Sequence, residues 1–172
     1  TSDLRIREAK KSEFQAIGQL MVDVYSSLEG FPTQEEIPDY YDMLTNVGSV
    51  TEKPGTKLLI AVSADDEIYG AVVYFSNMQQ YASGGDEIDI QHASGIRLLA
   101  VNHKARGQGV GNSLTHACIQ IAKDKKHSQV ILHSTKVMQV AWAMYEKIGF
   151  ERFEDIDFEF HGFSIFGFRM TI

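Results

Sequence analysis

Six residues, Arg106-Gly107-Gln108-Gly109-Val110-Gly111, separate an apolar, strand-like segment at 96–101 from an amphipathic run that reaches about residue 126. A strand, a glycine-rich turn and a helix start constrain a chain more tightly than any bulk property. Glycine has no Cβ, so the backbone can turn sharply and approach a ligand closely. The first-turn N–H groups of the helix have no partners within it, and the helix dipole adds positive potential at the same end. Such a turn suits an anion, and phosphate is its natural guest.

Two familiar phosphate loops do not fit. The dinucleotide fingerprint needs glycine where Asn112 stands, and it should open an N-terminal βαβ unit. The P-loop needs Gly-Lys-Ser/Thr, which does not follow this turn. What remains is Arg-x-x-Gly-x-Gly placed directly after a strand.

Bulk properties narrow the field further. A chain of 172 residues, 44% hydrophobic and 23% charged, is expected to form one soluble domain with a sizeable core. No apolar run approaches the ~20 residues of a membrane helix, and no basic-then-apolar leader opens the sequence. The single cysteine, Cys118, excludes an intramolecular disulfide framework and suits a reducing cytoplasm. It falls on an apolar helix face with Val110, Leu114, Ala117 and Ile121, and so reads as core filler. Cysteine-based zinc sites are excluded by count, the six histidines lack ligand-like spacing, and no metal is expected. The net charge of −7 argues against general nucleic-acid binding. A phosphate site on this chain therefore needs local positive charge. His103, Lys104 and Arg106 supply it at the turn, while Lys123, Lys125 and Lys126 close the helix, where they also complement its dipole.

Along the chain, residues 4–9 alternate as a first strand. Ser12-Glu13-Phe14-Gln15 reads as a capping box before a helix carrying Phe14, Ile17, Met21, Val24 and Leu28 at helical spacing. Gly30-Phe31-Pro32 breaks that helix. Thr33 and Glu36 form a second capping pattern before a short helix at about 39–45, with Pro38 near its start. Residues 46–55 read as loop, and 57–63 and 68–76 as two strands of a hairpin. The polar stretch 77–94 is long for a structureless loop; its ends are expected to extend the hairpin strands and its middle to form a substrate loop. After the glycine turn and its helix come a strand at 129–133 and a helix at about 137–148, stopped by Gly149. Ile156, Phe158 and Phe160, a His161-Gly162 turn, then Phe166, Phe168 and Met170 predict a closing hairpin. Hairpins mixed with crossovers imply a single central sheet flanked by helices.

A second segment gives the glycine turn its meaning. Residues 137–150 read Val-Met-Gln-Val-Ala-Trp-Ala-Met-Tyr-Glu-Lys-Ile-Gly-Phe. Together the two stretches resemble the acetyl-CoA-binding motif and the later Ala…Tyr-Glu-Lys-x-Gly-Phe motif of the GCN5-related N-acetyltransferase (GNAT) family, in the right order and with a helix and a strand between them. The resemblance implies an α+β fold, the N-acetyltransferase fold, as a single domain over 1–172. That fold has a mostly antiparallel, twisted sheet of about seven strands flanked by about four helices. It also implies acetyl-CoA as acyl donor and a primary amine of a small molecule or an exposed protein amine as acceptor. No nucleic-acid or membrane partner is expected, and the oligomeric state stays open, a homodimer included.

Acetyl transfer needs a neutral amine, an N–H donor facing the developing oxyanion, and an acid for the departing sulfur. The resemblance assigns Arg106, Gly107, Gln108, Gly109, Val110 and Gly111 to the pyrophosphate, and the backbone of Leu99, Ala100 and Val101 to the pantetheine arm. It assigns Tyr145 as general acid; on spacing alone Tyr145 reads as a core tyrosine on a buried helix face. Trp142 is read as a packing residue. Many relatives carry an asparagine seven residues before the tyrosine, where this chain has Met138. Candidates for the base are Glu29, Glu87, Asp89 and His133, with water chains as the alternative. Glu29, Glu35, Glu36, Asp86, Glu87 and Asp89 near the entrance would favour a cationic acceptor. The competing expectation is a catalytically silent acyl-CoA-binding or sensing module.

Overall fold

The computed structural model describes residues 4–81 and 90–172, and among these it forms eight strands and five α-helices. In chain order they are β1 (Arg5–Glu8), α1 (Phe14–Ser26), α2 (Pro38–Thr45), β2 (Thr56–Val62), β3 (Ile68–Phe75) and α3 (Met78–Tyr81). The second half supplies β4 (Ala93–Val101), α4 (Val110–Asp124), β5 (Gln129–Ser134) and α5 (Gln139–Ile148). It closes with β6 (Glu151–Arg152), β7 (Phe158–Phe160) and β8 (Phe163–Thr171).

The sheet runs β1-β2-β3-β4-β5-β8-β6, with β7 paired to β8. Every pair is antiparallel except β4 with β5. Both faces are covered, so β2 reads as a continuous apolar run rather than an alternating one. Leu58, Ile60 and Val62 pack against Ile17, Met21 and Leu44 of α1 and α2. Leu59 and Ala61 face Leu114, Cys118 and Ile119 of α4. Leu114 is fully buried, and truncating such a leucine to alanine costs about 2–5 kcal/mol.

Local chemistry explains most boundaries and corrects two of the expected ones. The cap before α1 is made by Glu13 rather than Ser12: its carboxylate accepts the Lys10 N–H at 2.8 Å and a two-pronged bond from Arg7 at 2.9 and 2.8 Å. Thr33 and Glu36 do form their box, the Thr33 N–H bonding Glu36 at 3.0 Å and the Glu36 N–H bonding the Thr33 hydroxyl at 3.4 Å. Residues 78–81 do not extend β3 as expected. Asn77 caps a helical turn there, its side chain accepting the Gln79 N–H at 2.9 Å. At the other end of that stretch Ala93 and Ser94 begin β4 rather than extend a hairpin strand, and its middle, with Asp86, Glu87 and Asp89, lies outside the described residues. The closing hairpin turns on His161 and Gly162 at φ 50° and 75°, the paired positive values that a tight two-residue turn requires.

Two irregularities in β4 set up everything that follows. First, its register with β3 slips: Ala71 faces Ala100 but Val73 faces Arg97, so one extra residue bulges on β4, and Leu98 there adopts φ 58°. A left-handed leucine costs roughly 1–2 kcal/mol and persists only where the surroundings hold it. The bulge breaks alternation, so Arg97 and Leu98 both lie on the α1 side while Leu99 and Val101 lie on the α4 side. Second, β4 and β5 pair only from Ala93 with Gln129 to Ile96 with Leu132. Beyond those residues the two strands part, and the sheet has an open seam.

Candidate active site

The glycine turn stands at the α4 end of this seam. Gly107 and Gly109 both adopt φ 77°, and a Cβ on either would meet no protein atom within 4 Å. Gly109 is the residue before α4, with no side chain bonding the helix end. Among the described residues, the backbone N–H groups of 107–111 have no hydrogen-bond acceptor. The turn thus presents a row of unpaired donors to open space at a helix N-terminus, a set that fits the pyrophosphate of coenzyme A. Gly111 faces Leu99 and Val101 of β4 and Met144 of α5, which brings the predicted residues of the strand and the turn together. Of the cations expected at the turn, Lys104 is spoken for by an ion pair with Glu67, and His103 lies 3.3 Å from the Ser27 hydroxyl. Arg106 is exposed; its N–H bonds the His103 carbonyl, and its side chain has no partner among the described residues.

Tyr145 is buried in the α4-side core, its ring 5.7 Å from that of Phe150. Burial pushes its phenol well above the usual tyrosine value. Its hydroxyl has no hydrogen-bond partner among the described residues, yet its field reaches Tyr25 and Tyr81, which belong to the opposite face of the sheet. Tyr25 donates to the Leu99 carbonyl at 3.4 Å, at the bulge itself. Trp142 packs edge-on against Phe166 and Phe168, with ring centroids 5.4 and 4.7 Å away, as a packing residue should. Cys118 is fully buried, and burial alone raises its thiol far above the ordinary value.

On the α1 side the seam opens into a pocket of about 90 Å³. Aromatic side chains of α1, α2 and β7 wall it, Met138 closes one end, and Arg97, His133, Ser134 and Thr135 contribute the polar groups. His133 is fully engaged. Its Nε2 lies 2.9 Å from the Ile156 carbonyl, which can only accept, so that nitrogen carries the proton. Its Nδ1 therefore accepts from the Tyr81 hydroxyl at 2.7 Å, and no lone pair is left for a substrate proton. Glu29 is exposed on the loop after α1, while Glu36 serves the Thr33 box. None of the described residues lining the pocket is a carboxylate.

Arg97, Ser134, Thr135 and Tyr25 are site residues that motif reading passes over. A lone cation within the apolar run of β4 was the signal for Arg97; the hydroxyls carried none. Among the described residues no group of three or more His, Cys, Asp or Glu side chains could hold a metal ion, and no helix is long and apolar enough to cross a membrane.

A mixed sheet parted between two parallel strands, with a glycine cradle at a helix N-terminus beside the gap, defines an acyltransferase type of fold. Residues 32–172 match the acetyltransferase (GNAT) domain, and the chain belongs to that family. Among curated proteins it is similar to the mouse probable N-acetyltransferase family 8 member 5, 37% identical over 54 residues that make up 31% of this chain and 24% of that protein. It is also similar to N-alpha-acetyltransferase 30 of Schizosaccharomyces pombe, 30% identical over 59 residues, 34% of this chain and 39% of that one. The chain thus matches only about a quarter to two fifths of the length of these relatives. Among solved structures, the PaiA N-acetyltransferase of Thermoplasma acidophilum in complex with coenzyme A superposes with a TM-score of 0.75 at 15% identity, over 98% of this chain and 99% of that one. A GNAT-family acetyltransferase of Staphylococcus aureus Mu50 gives 0.73 at 15% identity, over 98% of both chains. At such identities the likeness is one of fold, and it bears out the mixed α/β architecture that the two motifs implied.

Proposed function

We propose that the chain is an acetyl-CoA-dependent N-acetyltransferase that moves an acetyl group directly to a primary amine of a small molecule or an exposed protein amine. The observation that supports it best is the seam beyond Ile96 and Leu132, flanked by unpaired backbone donors on one side and the free Tyr145 hydroxyl on the other. In this reading the N–H groups of 107–111 and the Arg106 side chain hold the pyrophosphate. Leu99, Ala100 and Val101 offer backbone to the pantetheine arm, which runs where β5 no longer pairs. When bound, acetyl-CoA supplies an acyl thioester open to attack by an amine.

The chain's own groups then have defined tasks. Tyr145 holds a proton at its hydroxyl oxygen and gives it to the leaving sulfur; burial keeps that proton on across the neutral range. The amine must arrive neutral; among the described pocket-lining residues there is no carboxylate to take its proton, and in this reading the proton leaves through water. Aromatic walls limit bulk water around the reacting groups. Met138, where many relatives place asparagine, adds an apolar contact instead of a hydrogen bond.

A thiol-release assay with acetyl-CoA against polyamines, aminoglycosides, amino acids and short peptides tests this reading. At least one class should accelerate release well above the acceptor-free rate. Tight calorimetric binding of coenzyme A without acceleration by any amine would favour the silent binding module instead.

A further inference from the structure

The geometry points to an acceptor that carries a carboxylate one or two carbons from its amine, seated on Arg97, with an apolar or aromatic body against the ring wall. This rests on the N-acetyltransferase reading and narrows its substrate class to amino acids and closely related amino carboxylates.

Arg97 is the anomaly. It is half-buried in a strand whose neighbours Gly95, Ile96, Leu98 and Ala100 are buried. Among the described residues its guanidinium has no ion pair, no side-chain hydrogen bond and no ring beneath it. The other half-buried arginines are all accounted for: Arg7 is held two-pronged by Glu13, and Arg152 by Asp157 at 3.0 and 2.7 Å with Phe166 and Phe168 under its guanidinium. A guanidinium cannot shed its proton, so taking it out of water without a counter-charge is unfavourable until an anion arrives. Its field is felt across the pocket, where it opposes protonation of His133.

A second, independent observation lies in the same pocket. The hydroxyls of Ser134 and Thr135, each 3% exposed, are buried without a hydrogen-bond partner. Buried hydroxyls are normally satisfied, and two adjacent orphans at the end of β5 await a ligand atom. A guanidinium with five donors and two donor hydroxyls complement a carboxylate, which only accepts. They do not complement a cation.

The remaining wall is apolar. Tyr25, Phe31 and Tyr40 contact one another edge-on or tilted, with ring centroids 5.6 to 6.2 Å apart, and Phe160 lies 5.8 Å from Tyr40. The pocket is small, and Arg97 leaves β4 immediately before the bulge at Leu98, where the seam opens. An amine at the seam and a carboxylate on Arg97 must therefore be close neighbours in one molecule. The net charge of −7 favours cations at long range, but salt screens that field beyond about 10 Å, whereas Arg97 acts at contact.

Matched acceptors test the inference in the thiol-release assay: L-phenylalanine against 2-phenylethylamine and L-phenylalanine amide, and L-methionine against its decarboxylated amine, each corrected for its neutral-amine fraction. The acids should exceed the amines in kcat/KM by about tenfold or more. Arg97→Gln should bring that ratio close to one, with Arg97→Lys, which keeps the charge but loses the fork, in between. An amine equal to or better than its acid, or a ratio that Arg97→Gln leaves unmoved, would overturn the proposal. If no acceptor of any kind releases thiol, the transferase reading itself falls. Calorimetric titration with N-acetyl-L-phenylalanine and N-acetylphenylethylamine then judges the carboxylate site alone. Tighter binding of the acid that Arg97→Gln or Arg97→Lys weakens upholds it; equal binding of the two overturns it.

Discussion

The Tyr81 hydroxyl and the His133 imidazole form a closed pair, O–H to Nδ1 at 2.7 Å with the rings stacked at 5.6 Å. Gly95 makes room for this, since a Cβ there would stand 2.2 Å from the Tyr81 ring. Burial lowers the His133 pKa, and Arg97 lowers it further, against the opposing pull of the Ile156 carbonyl and Asp157. The folded ring therefore resists a proton that the unfolded chain accepts below ~6.5. Stability that is full above that value is lost as pH falls from it toward the folded pKa. Urea unfolding at pH 7.5 and 5.5 should show a steeper loss in the wild type than in His133→Gln. An identical slope in the two proteins would contradict the pairing.

Tyr145→Phe separates chemistry from packing. The hydroxyl has no hydrogen-bond partner among the described residues, so its removal should leave the melting temperature within a few degrees and coenzyme A affinity nearly intact. Loss of a general acid should lower kcat by about 100-fold. A variant that melts much earlier while turning over normally would return Tyr145 to the core.

The Arg7–Glu13 pair governs acid sensitivity at the start of α1. Two hydrogen bonds from Arg7 hold the Glu13 carboxyl down to about 2 from 4.5, against a smaller desolvation effect. A carboxyl depressed in the fold stabilises it above the unfolded pKa, and that contribution is lost as pH falls from 4.5 toward 2. Allowing for solvent screening, this amounts to about 1–2 kcal/mol. Glu13→Gln should be less stable than wild type at pH 7 by that margin, with the difference shrinking toward pH 2.5 in denaturant titrations.

Gly109 and Arg106 test the cradle. Gly109→Ala meets no protein atom, so its intrinsic cost is the left-handed alanine, about 1 kcal/mol, or roughly 2–4 °C in Tm. Any larger effect on the KM for acetyl-CoA must come from the ligand side of the turn. Arg106→Ala should raise that KM about fivefold and reduce its dependence on salt. A KM unmoved by both substitutions would place the pyrophosphate elsewhere.

Elements with strong periodicity were legible: β2, β3, α4 and the closing hairpin lie within a residue or two of where alternation or helical spacing put them. Where two polar residues compete locally, the pattern misleads, since Ser12 and Glu13 both look like caps and only the Arg7 pairing decides for Glu13. The turn at 78–81 was hidden because Asn77 can cap a turn or begin a strand extension, and nothing nearby in the sequence chooses. Motifs pointed to the proposed cofactor half of the site, whose chemistry would be carried by glycines and backbone. The acceptor half was illegible. It assembles from α1, α2, β4, β5 and β7, and the bulge that puts Arg97 beside Leu98 breaks the alternation by which a strand's faces are read.

The parted strands make this sheet two halves joined along a short common register, 93–96 with 129–132. Beyond that register, among the described residues, the facing edges of β4 and β5 no longer pair with each other, and edges of this kind are elsewhere covered or blunted. In the proposed reading, a linear amide ligand lying there would complete the weave as a surrogate strand. Loading with coenzyme A should thus slow amide hydrogen exchange in β4 and β5 together, coupling the two halves mechanically through a molecule that leaves at every turnover.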